Sequence, residues 1–471
     1  MIELRNKVGG RKLLSLFGRF SCLFLVCSSI LFSSGTFEKF QTIQIKDSTG
    51  SDFFENQQWN SYEPLPMKKL YEVNKPKSIS SLKKRKIKAV GPKIRIVLSK
   101  RKKYKTITFD NVKKDISIDF FSTILSFNIP DRLTNAKFYP QTQKGIGNFF
   151  RTASYTEYSY LISEIEKIKK EMNLNDWGLY ILIDKISNKI FSNKDNSKLF
   201  TWFILHKMDY SIRAGIVKKH ILLVFKTKQS INYTQCYKID GKLFYSLDSE
   251  AEKGVLYTYL KDSVNATKLF DMSLMTLPNL NLDINTKKLI FREDNNEFIV
   301  EYKYNKNLID FMATYPHVQS DVFLNAPLDD ISYQSIGKSF KEYLDRKKAS
   351  IAINFILHFV QNTFKYQNDL EQFSKEKFMF AQETLYYDKS DAEDRVSLFS
   401  YFIRKFFSFG VIGVKYKDHM TTGLLIPIIG DSVSDGKRKY IISDPTYTNA
   451  NIGENISKYK LLKPLEFIKL K

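Results

Sequence analysis

Cysteine is nearly absent from this chain: three in 471 residues, with Cys22 and Cys27 close to the N-terminus and Cys236 the only one beyond them. A lone thiol builds no internal disulfide, no cysteine-based metal cluster and no redox pair. Acidic residues are missing from one stretch. Between Lys75 and Lys105 there are fourteen Lys or Arg and no Asp or Glu, which is over half of the net charge of +24. Long apolar runs are missing too, so no segment after the N-terminus is apolar enough to cross a membrane. Glycine-rich phosphate loops, zinc-finger spacings and RNP-like motifs are all absent, which removes the usual signatures of nucleotide and nucleic-acid binding. No His, Cys, Asp or Glu pair has metal-ligand spacing, so neither a metal nor a cofactor is expected.

What is present suits a folded protein. Hydrophobic residues make up 43% and aromatic residues 14% of the chain, enough for sizeable cores. The length predicts two or three domains. At the N-terminus, Lys7, Arg11, Lys12 and Arg19 precede an apolar run from Cys22 to Phe32, followed by Ser33, Ser34 and Gly35. That order is the pattern of a secretory signal, with an uncleaved anchor as the alternative. The expectation is an exported, periplasmic or cell-envelope protein. The basic stretch reads as a solvated linker, or as a contact for an anionic membrane or wall surface; nucleic acid is not expected.

Composition and periodicity divide the chain as follows. Residues 1–35 are signal or anchor, 36–104 a disordered basic linker with Pro64, Pro66, Pro76 and Pro92, and 105–150 a short β segment. Residues 151–254 form an α/β module. There Leu161, Ile162, Ile165 and Ile168 mark a helical stripe, and the run Trp177 to Ile183 also reads as helix. Strand-like runs cover Ile212 to Val217, Ile221 to Phe225 and Leu243 to Leu247. Residues 255–330 read as a β-rich connector, with Asp294-Asn295-Asn296 as a turn. Residues 331–471 return to helix and then strands.

A repeat links the two α/β parts. Leu199 to His220 matches Leu398 to His419: each opens on Leu-Phe, runs through an aromatic pair (Trp202-Phe203, Tyr401-Phe402) into an amphipathic helix, and reaches a histidine twenty-one positions on. Further along, Phe244-Tyr245-Ser246-Leu247-Asp248 parallels Tyr440-Ile441-Ile442-Ser443-Asp444. In the second copy the order is Ser390-Asp391-Ala392-Glu393-Asp394-Arg395, an amphipathic helix, Asp418-His419, then Asp444-Pro445-Thr446-Tyr447.

Residues 345 to 455 thereby resemble the transglutaminase-like superfamily, and Phe364, Tyr366, Asp369, Glu371, Gln372 and Phe373 fit the segment that precedes its nucleophile. The resemblance implies an α+β, papain-like core. In it a cysteine at a helix N-terminus is activated by a histidine that an aspartate orients. Carried over, His419 is the base, Asp444 the orienting acid, and Ala392 stands where the thiol belongs. A methyl group performs none of that chemistry. The implied protein is therefore a pseudoenzyme that binds or scaffolds a peptide or protein partner; a small-molecule ligand is not indicated. The alternative is an active hydrolase or acyl transferase using Ser390 with His419 and Asp444. Against Ser390 as nucleophile, Ser390-x-x-Glu393 reads as a capping box. In the first copy His220 and Asp248 match His419 and Asp444, while Asn193 stands at the position of Ala392. His206 and His358 lie on apolar helices and read as packing residues.

Overall fold

Alternating apolar residues in short runs make strands, and 3.6-residue stripes make helices; the computed structural model contains both, with 36% helix and 26% strand. It describes residues 58–66, 89–96, 98, 116–248, 251–260 and 265–470. The signal segment and most of the basic linker lie outside these residues. Within the linker range, however, Trp59–Tyr62 forms a strand, β1, where a disordered segment was expected. Its chain neighbours are polar, so the run carries too few apolar residues to announce a strand by itself.

The hairpin β2 (Ile116–Phe120) and β3 (Thr123–Phe127) follows. Next come helices α1 (Asp131–Thr134), α2 (Gln143–Ser154), α3 (Ser159–Glu171), α4 (Asp176–Ile190) and α5 (Lys194–Lys207). In α3 the buried stripe is Leu161, Ile165 and Ile168. The run at Trp177 is indeed helical: Asn175 caps it by accepting from the Gly178 amide, and Leu179, Leu182, Ile183 and Ile186 are buried. The first sheet contains β4 (Ile212–Val217), β5 (His220–Phe225), β6 (Cys236–Ile239), β7 (Lys242–Ser246) and β8 (Leu256–Tyr259). Its order is β1-β8-β4-β5-β7-β6, so β8 belongs here and not to the connector.

Only part of the connector is β. The strands β9 (Ile284–Glu293) and β10 (Asn296–Asn305) pair over their full length. Asp294 and Asn295 turn between them with φ of 46° and 63°, the left-handed pair that a tight two-residue hairpin requires. Helices α6 (Lys306–Ala313) and α7 (Ser320–Asn325) then replace the expected strands. Asn305 caps α6 through the Asn307 amide, and Leu308, Ile309, Phe311 and Met312 form its buried face. Helices α8 (Asp330–Leu344) and α9 (Ala349–Thr363) precede a short parallel pair, β11 (Lys365–Tyr366) with β12 (Lys389–Ser390); between these lie α10 (Asp369–Phe373) and α11 (Ala381–Tyr386). Helix α12 (Ala392–Phe402), prolonged by a wider turn over Ile403–Phe407, leads into the second sheet. That sheet comprises β13 (Gly410–Lys415), β14 (Met420–Leu425), β15 (Ser432–Ser434), β16 (Lys439–Ser443) and β17 (Glu466–Lys469), in the order β15-β16-β14-β13-β17.

The two copies share one topology. In each, a helix is followed by five strands, and the first-sheet order β8-β4-β5-β7-β6 becomes β17-β13-β14-β16-β15, with every neighbouring pair antiparallel. The register agrees as well. The pair Ile212↔Phe225 shifts by 199 positions onto Val411↔Leu424, and Val224↔Ser246 corresponds to Gly423↔Ile442. Because a slip of one residue would turn every side chain to the other face, matched register means matched cores. The copies are not separate globules. A single apolar cluster runs from Phe120, Phe150 and Phe203 to Val396, Met420 and Ile468.

Candidate functional site

The helix start comes first, because it fixes everything near Ala392. Asp391 is the N-cap of α12. Its Oδ1 accepts the amides of Glu393 at 3.0 Å and Asp394 at 3.3 Å, while Asp394 Oδ2 accepts the Asp391 amide at 3.1 Å. The capping box is thus Asp391 with Asp394, and the expected Ser390–Glu393 box is corrected by one position. Aspartate satisfies the same orphan amides as serine, so spacing alone does not separate the two registers. Ser390 is buried in β12, and its Oγ accepts from Arg395 Nε at 3.1 Å. Arg395 also donates to the carbonyls of Gln361 at 3.3 Å and Phe364 at 2.7 Å. The serine hydroxyl helps to hold this guanidinium, and no histidine is among its partners.

Helix α12 packs against β13 and β14. His419 lies in the turn between those strands, its carbonyl accepting the Tyr416 amide at 2.8 Å. Asp444 follows β16. The two meet: His419 Nε2 to Asp444 Oδ2 is 2.7 Å. Thr446 donates to Asp444 Oδ1 from its amide at 2.9 Å and its hydroxyl at 2.6 Å. Burial pushes the Asp444 carboxyl up, but His419 and Thr446 together hold it below the ordinary value, so it is the ionised acceptor. The His419 ring stacks on Tyr459, 4.8 Å between centroids and 18° between planes. Gln361 on α9 locks the Asp444 loop by donating to the carbonyls of Asp444 at 2.9 Å and Ala450 at 3.1 Å.

Sequence spacing did not anticipate what surrounds the helix start. Carboxylate oxygens of Asp369, Asp391 and Asp394 lie within 4.8 Å of one another. Asp369 accepts the Lys377 amide at 2.9 Å and Asp394 the Met379 amide at 2.8 Å, so each carboxyl also organises a loop. Burial and then its neighbour Asp391 push Asp369 up to about 8; burial and then Asp369 push Asp394 up to about 8. Asp391 is raised for the same two reasons, burial first and Asp394 next, and burial also raises Glu393 and Glu376. Three such groups do not all ionise near neutrality. As a ligand set they lack a separate indication, because their oxygens already serve backbone amides.

Tyr233 reaches this region from the loop after β5, where burial and then Glu376, Glu393, Asp369 and Asp391 raise its phenol. Its ring lies 4.9 Å from that of His317. Burial, then Lys415 and Lys377, lower His317 to about 4, which keeps it neutral. The Asn232 amide donates to the His317 carbonyl at 2.8 Å. The first copy therefore supplies part of the wall beside the second copy's helix start. No local motif signals this, because the contact spans distant parts of the chain.

The first copy assembles no equivalent pair. His220 is exposed and its Nδ1 lies 3.2 Å from Asp195, whereas Asp248 pairs with Lys198 at 2.9 Å. Asn193 caps α5 through the Asn196 amide. Cys236 sits on β6 in the first sheet, and burial raises its thiol. His358 is buried against Glu293 of β9, and His206 packs edge-on against Phe150 and at a tilt against Trp202. Among the described residues, no helix is long and apolar enough to cross a membrane. Comparison with family models, with curated proteins and with solved structures finds no match.

Proposed function

We propose that this chain is an exported, non-catalytic relative of the transglutaminase-like enzymes, and that it holds a peptide or protein segment in the cleft beside Ala392. The observation that carries this reading is the 2.7 Å bond between His419 and the buried Asp444, on strands packed against a helix that begins at Ala392. In a transglutaminase-like enzyme such a pair would serve as base and orienting acid for a nucleophile, and here the helix N-terminus holds only a methyl group. Losing the nucleophile of such a unit removes nearly all the rate it supplies. The role left to the site on this reading is binding.

The substitution Ala392→Cys tests it. The purified protein is expected to turn over no glutamine amide or activated ester. Ala392→Cys is expected to carry a thiol that alkylates at least tenfold faster than Cys236 near neutral pH, with that gain lost in the double variant Ala392→Cys/His419→Ala. An introduced thiol no faster than Cys236 would sink the reading, and so would turnover by the unaltered protein that vanishes in His419→Ala.

A further inference from the structure

The two copies share five strands, yet among the described residues only the first has a sixth. Strand β1 pairs with β8, Trp59 opposite Tyr259 and Tyr62 opposite Leu256. A residue or two later the same run reaches the opposite edge, where Pro64 bridges Tyr237 and the Leu65 amide donates to the Cys236 carbonyl at 2.8 Å. Residues 58–65 thus join both free edges, and the first sheet closes on itself. Its interior, Val217, Leu222, Val224, Tyr237, Ile239, Phe244 and Leu256, is buried.

The corresponding edges of the second copy are β17 and β15. Between them lies a cavity of about 330 Å³, lined by Ser432, Val433, Ser434 and Phe467 together with Asn455 and residues 459–464. Val433 and Phe467 pack on the second interior cluster but remain only half-buried. At the rim, Leu461 is 94% exposed and Leu465 64%. Among the described residues, no strand pairs with the outer edge of β15. In β15, Asp431 accepts the Ile442 amide and Asp435 donates to Arg438, so the odd-numbered residues face β16. The amides and carbonyls of Ser432 and Ser434 then point away from the sheet, towards the cavity.

We propose that this gap is an acceptor slot for one extended strand from a partner protein, added as residues 58–65 are added to the first copy. Charge selects the kind of strand. Lys463 in the cavity wall and Lys469 on β17, with Lys437 and Arg438 on the adjoining turn and Lys439 at the start of β16, outnumber Asp435 and Glu466, while Asp431, also in the wall, is already paired with Lys460 at 2.9 Å. The guest is acidic, with apolar side chains at alternate positions to cover Val433 and Phe467. Backbone pairing supplies affinity and the alternation supplies specificity. Tyr459, which stacks on His419, also lines the slot, so the two regions adjoin; the edge backbone and charges that define the slot do not depend on the reading of Ala392.

Fluorescence anisotropy on the whole protein, with a labelled octapeptide of alternating Glu and Val, tests the proposal. Saturable binding is expected, with at least tenfold weaker binding to an alternating Lys and Val peptide. Ser432→Pro removes one outward amide without taking a bond from β16, and is expected to weaken binding at least tenfold at an unchanged melting temperature. Lys463→Glu/Lys469→Glu, which leaves the backbone intact, is expected to do the same and keeps the test valid if the proline variant misfolds. Binding that ignores both changes, or no binding to a folded protein, overturns the proposal. Equal binding of the two peptides overturns its charge preference. Concentration-dependent dimerisation that Ser432→Pro abolishes would name a second copy as the guest and likewise overturn it.

Discussion

Asp369 illustrates how one buried carboxyl reports on its surroundings. In the folded protein it keeps its proton up to about pH 8; unfolded, it releases it near pH 4. Between those values the unfolded chain binds fewer protons, so this group's contribution to stability falls as pH rises. Asp369→Asn cannot ionise, and its amide oxygen still accepts the Lys377 amide. Relative to the unaltered protein, the variant is expected to gain about 1–3 kcal/mol between pH 5 and pH 8, read from urea unfolding at both pH values. A stability difference that does not change with pH would mean that the three carboxyls are not crowded as described. Ala392 is the opposite case. It is buried, its methyl bonds to nothing, and that side chain matters only through the groups arranged around it.

At the scale of elements, the start of α12 joins the parts. The Asp391–Asp394 box sets where the helix begins, and Arg395, one residue on, ties it to the end of α9 and to β12. Asp391→Ala loses the acceptor for two helical amides and is expected to cost about 1–2 kcal/mol, whereas Asp391→Asn, which retains an acceptor, should cost only a few tenths. Equal losses in the two variants would show that the cap is not what the side chain provides. Helical stripes and the tight turn at Asp294-Asn295 were readable as patterns, because each depends on neighbours only a few residues away. The correction from Ser390 to Asp391 has the same origin. Ser and Asp cap equally well, and the parallel pairing of β11 with β12, which withdraws Ser390 into a strand, is a longer-range event.

Across the whole molecule, the repeat and its one asymmetry stand out. Five strands have the same order and register in both sheets, but residues 58–65 seal only the first. Removing residues 58–65 would expose the edges of β8 and β6 together and uncover Trp59's partners Tyr257 and Tyr259. Exposed edges pair with other chains. The shortened protein is expected to melt several degrees lower and to self-associate with rising concentration in analytical ultracentrifugation. If it stays monomeric with its original melting temperature, β1 is dispensable and does not seal the first sheet.

The sequence by itself determined the helices that carry apolar stripes (α3, α4, α5 and α12), several strands, the repeat and the three positions Ala392, His419 and Asp444. It did not determine α1, α2, α6 or α7, which fall in stretches read as β. What it determined is written in local spacing or in a match between two segments. Only the tertiary structure decided that His419 and Asp444 bond while His220 and Asp248 do not. Both histidines stand at the start of the same kind of strand, and their fate depends on which carboxylate the packing brings near: Asp444 in one copy, Asp195 in the other. The same is true of the carboxyl cluster, of Tyr233 beside it and of the strand that closes the first sheet. Each joins residues far apart in the chain, and such contacts are set by the burial of a shared core, which no short window of sequence contains.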